Sequence, residues 1–356
     1  MNGSRSFVFP GIRSRVVFGA GTISQVGVEM KRLECRKALI LTTPQQREDG
    51  EALAARIGGS GAVVFSGATM HTPVDVTRKA LEVYESADAD CVISLGGGSS
   101  IGLGKAIALR TGVDQIAVPT TYAGSEMTDI LGETQNGEKT TRRDPAILPE
   151  TVIYDVDFTM TLPKSMTVSS GMNSIAHAAE ALYASDRNPI LSMMAADAIK
   201  SLAAALPAVA ADPADRNGRA EALYGAWLSG AVLGGTSMAL HHKLCHVLGG
   251  SFDTPHAETH AILLPHTVGF NAAAVDELLK PISDALDGTT PGKALHRFAI
   301  RLEAPTKLKE LGLSEADLDR AAEIAVKNPY FNPRPFDQAE IRALLRDAWI
   351  GREPPL

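Results

Sequence analysis

The chain has 356 residues, of which 45% are hydrophobic and 21% charged, and its formal net charge is −7. A chain of this size is long enough for two globular domains of roughly 100–200 residues each. The acidic balance argues against nucleic acid or an acidic membrane surface as a partner, and no stretch reaches the roughly 18–20 uninterrupted apolar residues of a membrane span.

The first half of the chain alternates short apolar strands with helical segments. Strands are predicted at residues 7–9, 15–18, 38–42, 62–65, 91–95, 115–118 and 151–155. Helices are predicted from about residue 21 to 30 and at 48–57, 74–86 and 101–110, with a polar hairpin at 129–145. Buried-type strands that alternate with helices of about 10–15 residues are typical of a parallel, Rossmann-like α/β sheet.

The composition changes after about residue 160, where Ala, Met and Leu recur with helical spacing. Helices are predicted at 164–184, 189–206, 216–237, 239–249, 256–274, 275–286, 291–301, 306–311, 314–327 and 337–348, and no strand is predicted there. We therefore predict an α/β dinucleotide-binding domain at residues 1–160 and an all-helical domain at 161–356.

Three glycines, Gly96, Gly97 and Gly98, directly follow the apolar strand at 91–95 and precede Ser99. Glycines let the backbone approach a phosphate closely, Ser99 can cap the helix that follows, and the start of a helix favours an anion. The turn therefore predicts a pyrophosphate site, although a strand-to-helix turn without a ligand has the same pattern.

Lys105 invites comparison with a P-loop, but the pattern fails at two positions. Ser99 stands where the first glycine of that motif belongs, and Ala106 stands where Ser or Thr should bind magnesium. A dinucleotide is therefore favoured over hydrolysis of a nucleoside triphosphate.

The three cysteines, Cys35, Cys91 and Cys245, are widely spaced and odd in number. They provide neither a disulfide framework nor a CxxC zinc ribbon. A reducing, cytoplasmic location is therefore expected.

Six of the nine histidines lie within residues 239–266, namely His241, His242, His246, His256, His260 and His266. His242 and His246 are four residues apart and share one helix face, and Gly249 and Gly250 are expected to end that helix. Any one of these histidines can be a surface or core residue, but the cluster favours a metal or anion site.

A second polar pair lies upstream, where Asn173 and His177 are also four residues apart. This helix face, together with His242 and His256, is expected to converge on one point in a cleft between the two domains.

Four stretches together resemble the iron-containing alcohol dehydrogenase superfamily. They are Gly96-Gly-Gly-Ser99, Pro119-Thr-Thr121 with Gly124-Ser-Glu126, Gly171-Met172 with His177, and His242 and His246 with Pro255-His256 and Leu263-Leu-Pro-His266. The resemblance implies a dinucleotide-binding N-terminal domain and a helical C-terminal domain with the active site between them.

In that superfamily the usual metal ligands are one Asp and three His. The resemblance places these four positions on Asn173, His177, His242 and His256, so a neutral Asn replaces the carboxylate. Loss of the anionic ligand weakens a divalent site and makes the pocket more favourable for an anionic substrate. We therefore predict that the four positions are vestigial and that no metal is required.

Longer segments at 96–109, 119–128 and 242–260 resemble one branch of the superfamily, the maleylacetate reductases. The resemblance implies a homodimer that reduces the C=C bond of 2-maleylacetate to 3-oxoadipate with NADH or NADPH during catabolism of aromatic compounds. The residues expected in catalysis are Asn173, His177, His242, Lys243, His246, His256 and Tyr122, the last of which either contacts the substrate or fills space.

The resemblance also implies a set of cofactor contacts. They are Thr42, Thr43, Pro44, Gly97, Gly98, Ser99, Thr120, Thr121, Ser125, Lys139 and Leu162. Members that prefer NAD often have Asp where Thr43 stands, and a carboxylate there repels the 2′-phosphate of NADP. Because Thr43 does not, both cofactors are expected to be accepted.

Three other functions remain open from the sequence. The first is a metal-dependent alcohol dehydrogenase that contains iron or zinc and acts on a small alcohol or aldehyde, which tightly held metal would indicate. The second is a lyase of the dehydroquinate synthase type, which needs a metal and a phosphate-binding set. The third is a nucleotide-binding protein without catalytic activity, which would bind NADH but turn nothing over.

Overall fold

The computed structural model describes residues 6–58, 61–286, 288, 290–327 and 330–356. The chain forms two compact units, each with its own hydrophobic core. One unit is Ile12–Leu162, and the other is Pro163–Leu356 together with the described N-terminal residues 6–11.

The first unit contains a six-stranded sheet and a separate hairpin. The sheet strands are β1 Arg15–Gly19, β2 Ala38–Leu41, β3 Ala62–Phe65, β4 Cys91–Gly96, β5 Asp114–Pro119 and β8 Thr151–Asp155, and the hairpin strands are β6 Ile130–Gln135 and β7 Glu138–Arg143. The sheet is parallel throughout, in the order β1-β8-β5-β4-β2-β3. Strands β2 and β4 are buried along their whole length, as expected of a parallel sheet that is covered on both faces. The predicted α/β class and the predicted hairpin are confirmed.

Four helices accompany this sheet, namely α1 Val26–Arg32, α2 Arg47–Ile57, α3 Val74–Ser86 and α4 Gly98–Thr111. Helix α4 begins three residues before the predicted start at Ile101, because Gly98 and Ser99, which were expected in the turn, already belong to the helix. Register in the sheet pairs Gly96 with Pro119, and the N–H of Thr120 donates to the carbonyl of Gly96 at 3.2 Å. The loops that follow β4 and β5 therefore leave the sheet side by side.

The strand predicted at residues 7–9 is wrong. These residues have no regular secondary structure, and Phe7 and Val8 are 46% and 83% exposed. The carbonyl of Val8 accepts a hydrogen bond from the side chain of Asn188 at 3.2 Å. An apolar run becomes a strand only where a neighbouring strand satisfies its backbone groups, and this segment belongs to the helical unit.

The second unit is helical, and its described residues after Pro163 contain no strand, as predicted. Its helices are α5 Lys164–Tyr183, α6 Pro189–Ala211, α7 Arg216–Gly235, α8 Leu240–Phe252, α9 His256–Ala285, α10 Pro291–Arg301, α11 Asp317–Ala325 and α12 Gln338–Ile350. Helix α5 is buried from Thr167 to Tyr183 and packs against α6, α7 and α9. Side chains on α5 are therefore held on several sides.

Helix α6 is the one helix among the described residues that is long and apolar enough to cross a membrane. About half of its most apolar window is buried, and Ile199, Leu202 and Leu206 lie in the core of the unit. Core helices meet the same criteria, so α6 alone is weak grounds for a membrane segment.

Helix α8 does not end at the two glycines as predicted. It continues through Gly249 and Gly250, and the chain leaves it at Asp253, whose φ of 53° is left-handed. A glycine inside a helix costs about 1 kcal/mol relative to alanine. Burial of Leu244 and Leu248 on the same helix offsets this, at about 1.5–3 kcal/mol for each side chain.

Helix α9 is interrupted at Val275, whose φ of −138° and ψ of 32° are not helical. Two helices were predicted, at 256–274 and 275–286, and the interruption lies where they were expected to meet. The first of them carries His256 and His260, one turn apart on one face.

Candidate functional site

The first two glycines of the turn in the α/β unit leave little room for side chains. A Cβ added to Gly96, whose φ is 145°, would lie 2.5 Å from Oγ of Ser100. A Cβ at Gly97 would lie 3.0 Å from Oγ1 of Thr121, whereas nothing lies within 4 Å of one at Gly98. The backbone is therefore open at Gly98, where α4 begins.

Ser99 does not cap this helix, so that prediction is wrong. The residue before the helix is Gly97, which has no side chain to accept the free N–H groups, and the first turn contains no acidic residue. These N–H groups and the positive end of the helix dipole favour an anionic group. The arrangement suits a pyrophosphate at the position that the sequence predicts.

The loop after β5 lies beside this turn and carries three of the predicted cofactor residues. Thr120 is buried and accepts a hydrogen bond from the side chain of Gln46 at 3.1 Å, and Thr121 packs against Gly97. The hydroxyl of Ser125 is buried without a hydrogen-bond partner. A polar group of a ligand could satisfy it.

Tyr122 follows Thr121 but its side chain is completely buried in the α/β unit. Its position favours the space-filling alternative over direct contact with a substrate. The protein itself buries the side chain of Tyr122, without a ligand.

The other predicted cofactor residues are spread over this unit. Thr42, at the end of β2, is buried and its hydroxyl has no hydrogen-bond partner, while Thr43 donates to Gln46 at 3.4 Å and Pro44 is exposed. Lys139 lies on the exposed strand β7, opposite Thr134. Leu162, the last residue of the unit, is buried.

In the helical unit, α5 places three polar side chains along one face. Asn173, His177 and Glu180 are spaced by four and three residues and are all buried. Oδ1 of Asn173 and Nδ1 of His177 have no hydrogen-bond partner. Burial, and then the neighbouring His242 and His256, hold the pKa of His177 well below its usual value.

Glu180 is the centre of the hydrogen bonds at the start of α8. Its carboxylate accepts from the backbone N–H of Ala239 at 3.0 Å and of His241 at 2.8 Å, and from Nδ1 of His242 at 2.6 Å. Burial alone would raise the pKa of Glu180, but the hydrogen bond from His242, attraction to His242 and His241, and the Ala239 N–H lower it to about 2. Glu180 is therefore ionised and anchors the helix start.

This contact determines which nitrogen of His242 is left for a ligand. An ionised carboxylate only accepts hydrogen bonds, so Nδ1 of His242 carries a hydrogen and donates it to Glu180. Nε2 of His242 is buried and has no hydrogen-bond partner, and its ring stacks on that of His177 with centroids 5.1 Å apart. Nε2 is thus the atom of His242 that is available to a ligand.

A second hydrogen-bonded chain lies behind this pair. The hydroxyl of Thr267 donates to the carbonyl of Leu263 at 3.0 Å, so it accepts from Nδ1 of His241 at 3.0 Å. Nε2 of His241 then accepts from Nδ1 of His260 at 2.9 Å. Nε2 of His260 remains as a buried acceptor without a hydrogen-bond partner.

Burial sets the charge of both histidines in this chain. Burial, followed by the effect of His242, lowers the pKa of His241 to about 3. Burial and the neighbouring His256 lower the pKa of His260 well below its usual value. Both imidazoles are therefore neutral at pH 7, as the hydrogen-bond directions require.

The remaining predicted residues lie nearer the surface. His246 and His256 are exposed, with ring centroids 6.2 Å from His242 and 4.4 Å from His260 respectively. Lys243 is half-buried, with Nζ 5.4 Å from the ring centroid of Tyr330. The structure thus brings the predicted histidines into one cluster that grades from buried to exposed.

Sequence reasoning missed Glu180. A signal was present, because Glu180 lies seven residues after Asn173 and three after His177 on the same helix face. It is also the acidic residue of an otherwise apolar segment, Ala178-Ala-Glu-Ala-Leu182. A carboxylate in such a segment indicates a buried partner.

The side chains of the cluster that lie close enough together to hold a metal are not those at the four predicted positions. Among the described residues, two groups of three His, Cys, Asp or Glu residues have ligand atoms within 4.8 Å of one another, and neither contains His177 or His242. One consists of His241, Cys245 and His260. There the imidazole nitrogens already hydrogen-bond each other, and burial raises the pKa of the Cys245 thiol well above its usual value, whereas a metal binds the thiolate.

Comparison with known proteins places these features in a family. Residues 13–156 match the family model described as iron-containing alcohol dehydrogenase, and residues 167–349 match that of the C-terminal part of the Fe-containing alcohol dehydrogenase family. The maleylacetate reductase of Rhizobium sp. (strain MTP-10005) is 56% identical over 348 residues, which cover 98% of this chain and 99% of that protein. That of Burkholderia cepacia is 48% identical over 349 residues, with the same coverage.

A solved structure agrees. The crystal structure of maleylacetate reductase from Agrobacterium tumefaciens has a TM-score of 0.95 at 55% identity, covering 98% of this chain and 100% of that one. The resemblance found in the sequence is therefore confirmed over nearly the whole chain. The chain belongs to the iron-containing alcohol dehydrogenase family, in the branch formed by the maleylacetate reductases.

Proposed function

We propose that the protein reduces the C=C bond of 2-maleylacetate to give 3-oxoadipate, with a nicotinamide cofactor as hydride donor. The observation that carries the proposal is the match to maleylacetate reductases at 45–56% identity over at least 96% of the chain. These relatives favour the reductase over an alcohol dehydrogenase that acts on a small alcohol or aldehyde.

The reaction adds a hydride and a proton across a double bond that is conjugated to a ketone. Hydride goes to the alkene carbon β to the ketone, so negative charge develops on the ketone oxygen as an enolate. A proton at the α carbon then completes the product. The protein must therefore supply a hydrogen-bond donor or cation at the oxygen and an acid near the carbon.

His242 is the residue best placed for proton transfer in the helical unit. Glu180 fixes its Nδ1–H at 2.6 Å and so directs the other nitrogen, Nε2, to the reacting group. When Nε2 carries a proton, the imidazolium forms a buried ion pair with Glu180. The pair can then release that proton to the enolate while the ring keeps its orientation.

The two carboxylates of the substrate require positive charge at the edge of the site. Lys243 is half-buried and its ammonium faces the Tyr330 ring, and the exposed His246 and His256 lie next to the buried histidines. We assign these three residues to recognition of a carboxylate. Burial holds the pKa of His177, His241 and His260 below the usual value, so these rings do not compete for this role.

The family name implies iron, and the residues of this chain do not fit it. Asn173 supplies a neutral amide where a carboxylate belongs, which weakens a divalent site. Among the described residues, no set of three ligand atoms within 4.8 Å includes His177 or His242. We therefore propose that the reduction does not require a bound metal.

For the cofactor we propose that both NADH and NADPH are accepted. The side chain at position 43 is a threonine, which is neutral and engaged with Gln46. It can hydrogen-bond a ribose hydroxyl without repelling a 2′-phosphate. A difference of more than about a hundredfold in kcat/KM between the two cofactors, or about 3 kcal/mol, would contradict this.

We also propose that the protein acts in the cytoplasm as a homodimer. All three cysteines are free, which suits a reducing compartment, and the dimer is implied by the resemblance. Light scattering coupled to gel filtration measures the oligomeric state, and a monomer at micromolar concentration would contradict the second part.

The test of the function is oxidation of NADH in the presence of maleylacetate, followed at 340 nm with and without EDTA. We expect wild-type activity to survive the chelator and His242→Ala to lose at least about a hundredfold in kcat. His71→Ala, at an exposed position of the α/β unit, is the control. Loss of activity to EDTA with recovery on added iron or zinc would favour a metal-dependent enzyme instead.

A further inference from the structure

Lys105 is a buried cation that the proposed chemistry does not use. It lies in the middle of α4 and is 1% exposed. Its ammonium donates to the carbonyl of Ser125 at 2.5 Å, to Oγ1 of Thr128 at 2.9 Å and to the carbonyl of Ile130 at 3.0 Å. A lysine has three N–H donors, and all three are satisfied here.

The three acceptors belong to one short segment, residues 125–130, which follows the loop after β5. This segment begins after Gly124, whose φ of 79° is left-handed, and forms a single helical turn at Ser125–Met127. The hydroxyl of Thr128 also donates to the Ser125 carbonyl at 3.0 Å. The carbonyl of Ser125 thus accepts from two side chains, and Lys105 ties the segment to α4.

Packing alone does not explain a lysine at this place. Burial of a cation is costly, and a well-packed apolar residue of similar volume is often equally stable or more stable. The acidic side chain of Glu126, which is completely buried and accepts from the hydroxyl of Tyr154 at 2.8 Å, offsets part of the charge. Lys105 therefore adds directed hydrogen bonds, which fix the geometry of the segment rather than fill space.

We propose that Lys105 is a positioning residue for the nicotinamide cofactor. Helix α4 begins with the Gly97–Gly98 turn that suits the pyrophosphate, and the segment it holds carries Ser125, whose hydroxyl is buried and unsatisfied. Lys105 keeps these two groups at a fixed separation, so both can bind one cofactor. This inference rests on the proposed function, because it requires a dinucleotide at this site.

The test measures the affinity for NADH and the rate constants separately. Lys105→Met keeps the length and apolar volume of the side chain but removes the three donors. Thr128→Val removes one acceptor of the ammonium and one donor to Ser125, with little change in shape. Matched controls are Lys79→Met, at an exposed position of α3, and Thr77→Val, which is buried and donates to the carbonyl of Pro73.

We expect the Kd for NADH, from fluorescence titration, and the KM for NADH to rise about tenfold or more in Lys105→Met. The rise in Thr128→Val is smaller, while kcat at saturating NADH stays within about threefold in both. Lys105→Arg, which keeps charged donors, recovers part of the affinity. The two controls match the wild type.

Two outcomes overturn the proposal. One is a Kd for NADH in both variants that equals that of the wild type. The other is a Thr128→Val enzyme with normal affinity beside a Lys105→Met enzyme that loses kcat, affinity and thermal stability together, since that indicates only a general role in folding. A wild type that binds neither NADH nor NADPH would instead refute the proposed function.

Discussion

Replacement of Glu180 by glutamine is the most informative single change in the helical unit. The carboxylate accepts from two backbone N–H groups and from the ring of His242. Glutamine has the same shape, but its NH₂ group is a donor and faces other donors. Glu180→Gln therefore removes the charge and leaves at least one buried N–H without an acceptor.

The magnitude follows from the pKa of the carboxyl. It is about 2 in the folded protein against the usual 4.5, and at 1.36 kcal/mol per pH unit this difference corresponds to about 3 kcal/mol. Glu180 is fully buried, so solvent does not screen this energy. Glu180→Gln is expected to lose about 3 kcal/mol of unfolding free energy at pH 7.

The same pKa predicts a pH dependence. Because the folded-state value is depressed, the stabilisation by Glu180 is fully present above pH 4.5 and is lost as the pH falls from 4.5 towards 2. The stability difference between wild type and Glu180→Gln is therefore constant from pH 5.5 to 7 and shrinks below pH 4.5.

The effect on catalysis is measured on the same variants. Glu180 is expected to orient the proposed proton donor His242, and general acid–base catalysis contributes about 10²–10⁴-fold, so kcat with maleylacetate should fall by about tenfold or more in Glu180→Gln and less in Glu180→Asp. Urea unfolding at several pH values gives the stability, and Glu221→Gln, at an exposed position of α7, is the matched control. A Glu180→Gln enzyme within about 1 kcal/mol of the wild type, with unchanged kcat, would refute the role of this carboxylate.

Three further changes test the remaining parts of the site. Asn173→Asp supplies the missing anionic ligand and is expected to retain a divalent metal through gel filtration, measured by mass spectrometry of the metal; equal metal content in wild type would contradict this. Thr43→Asp is expected to raise the KM for NADPH by about tenfold or more and that for NADH little, and equal changes would count against the assignment of this position. Thr267→Val removes the acceptor of His241 and is expected to lower kcat several-fold and to alter the ¹⁵N shifts of the His241 and His260 rings. Thr267→Ser should restore both, and unchanged shifts in Thr267→Val would exclude the tautomer assignment.

The architecture of the α/β unit could be predicted because its determinants are local. Apolar runs such as 91–95 and 151–155 have the length and the flanking residues that are typical of strands. The glycines after β4 indicate a tight turn there. Residues 7–9 have the same apolar character, but a strand also needs a neighbour, which no local pattern specifies. The predicted end of α8 at the two glycines is wrong for a related reason. The free energy gained by burying Leu244 and Leu248 is larger than the cost of two glycines inside the helix.

The site was predictable in its residue types but not in its connections. The spacing of His242 and His246 predicts a functional stretch, yet it gives no sign that His242 is buried and His246 exposed. The link between Glu180 and the start of α8 joins residues about 60 positions apart. Helical periodicity identifies a face of α5, but it does not identify the helix that the face meets.

We propose that the buried cluster uses a proton rather than a divalent ion as its electrophile, and the charges of its residues support this. Its one identified carboxylate, Glu180, is already satisfied by Ala239, His241 and His242, and the low pKa of His241 keeps that ring neutral. A divalent ion would bring two positive charges to ligands without a net negative charge, because Asn173 stands in place of an acid. One proton on Nε2 of His242 instead leaves the pair with Glu180 neutral overall, which a buried site tolerates. The neutral Asn173 and the carboxylate of Glu180 behind His242 therefore form two parts of one electrostatic arrangement. Asn173→Asp adds a negative charge to this arrangement, and Glu180→Gln removes one.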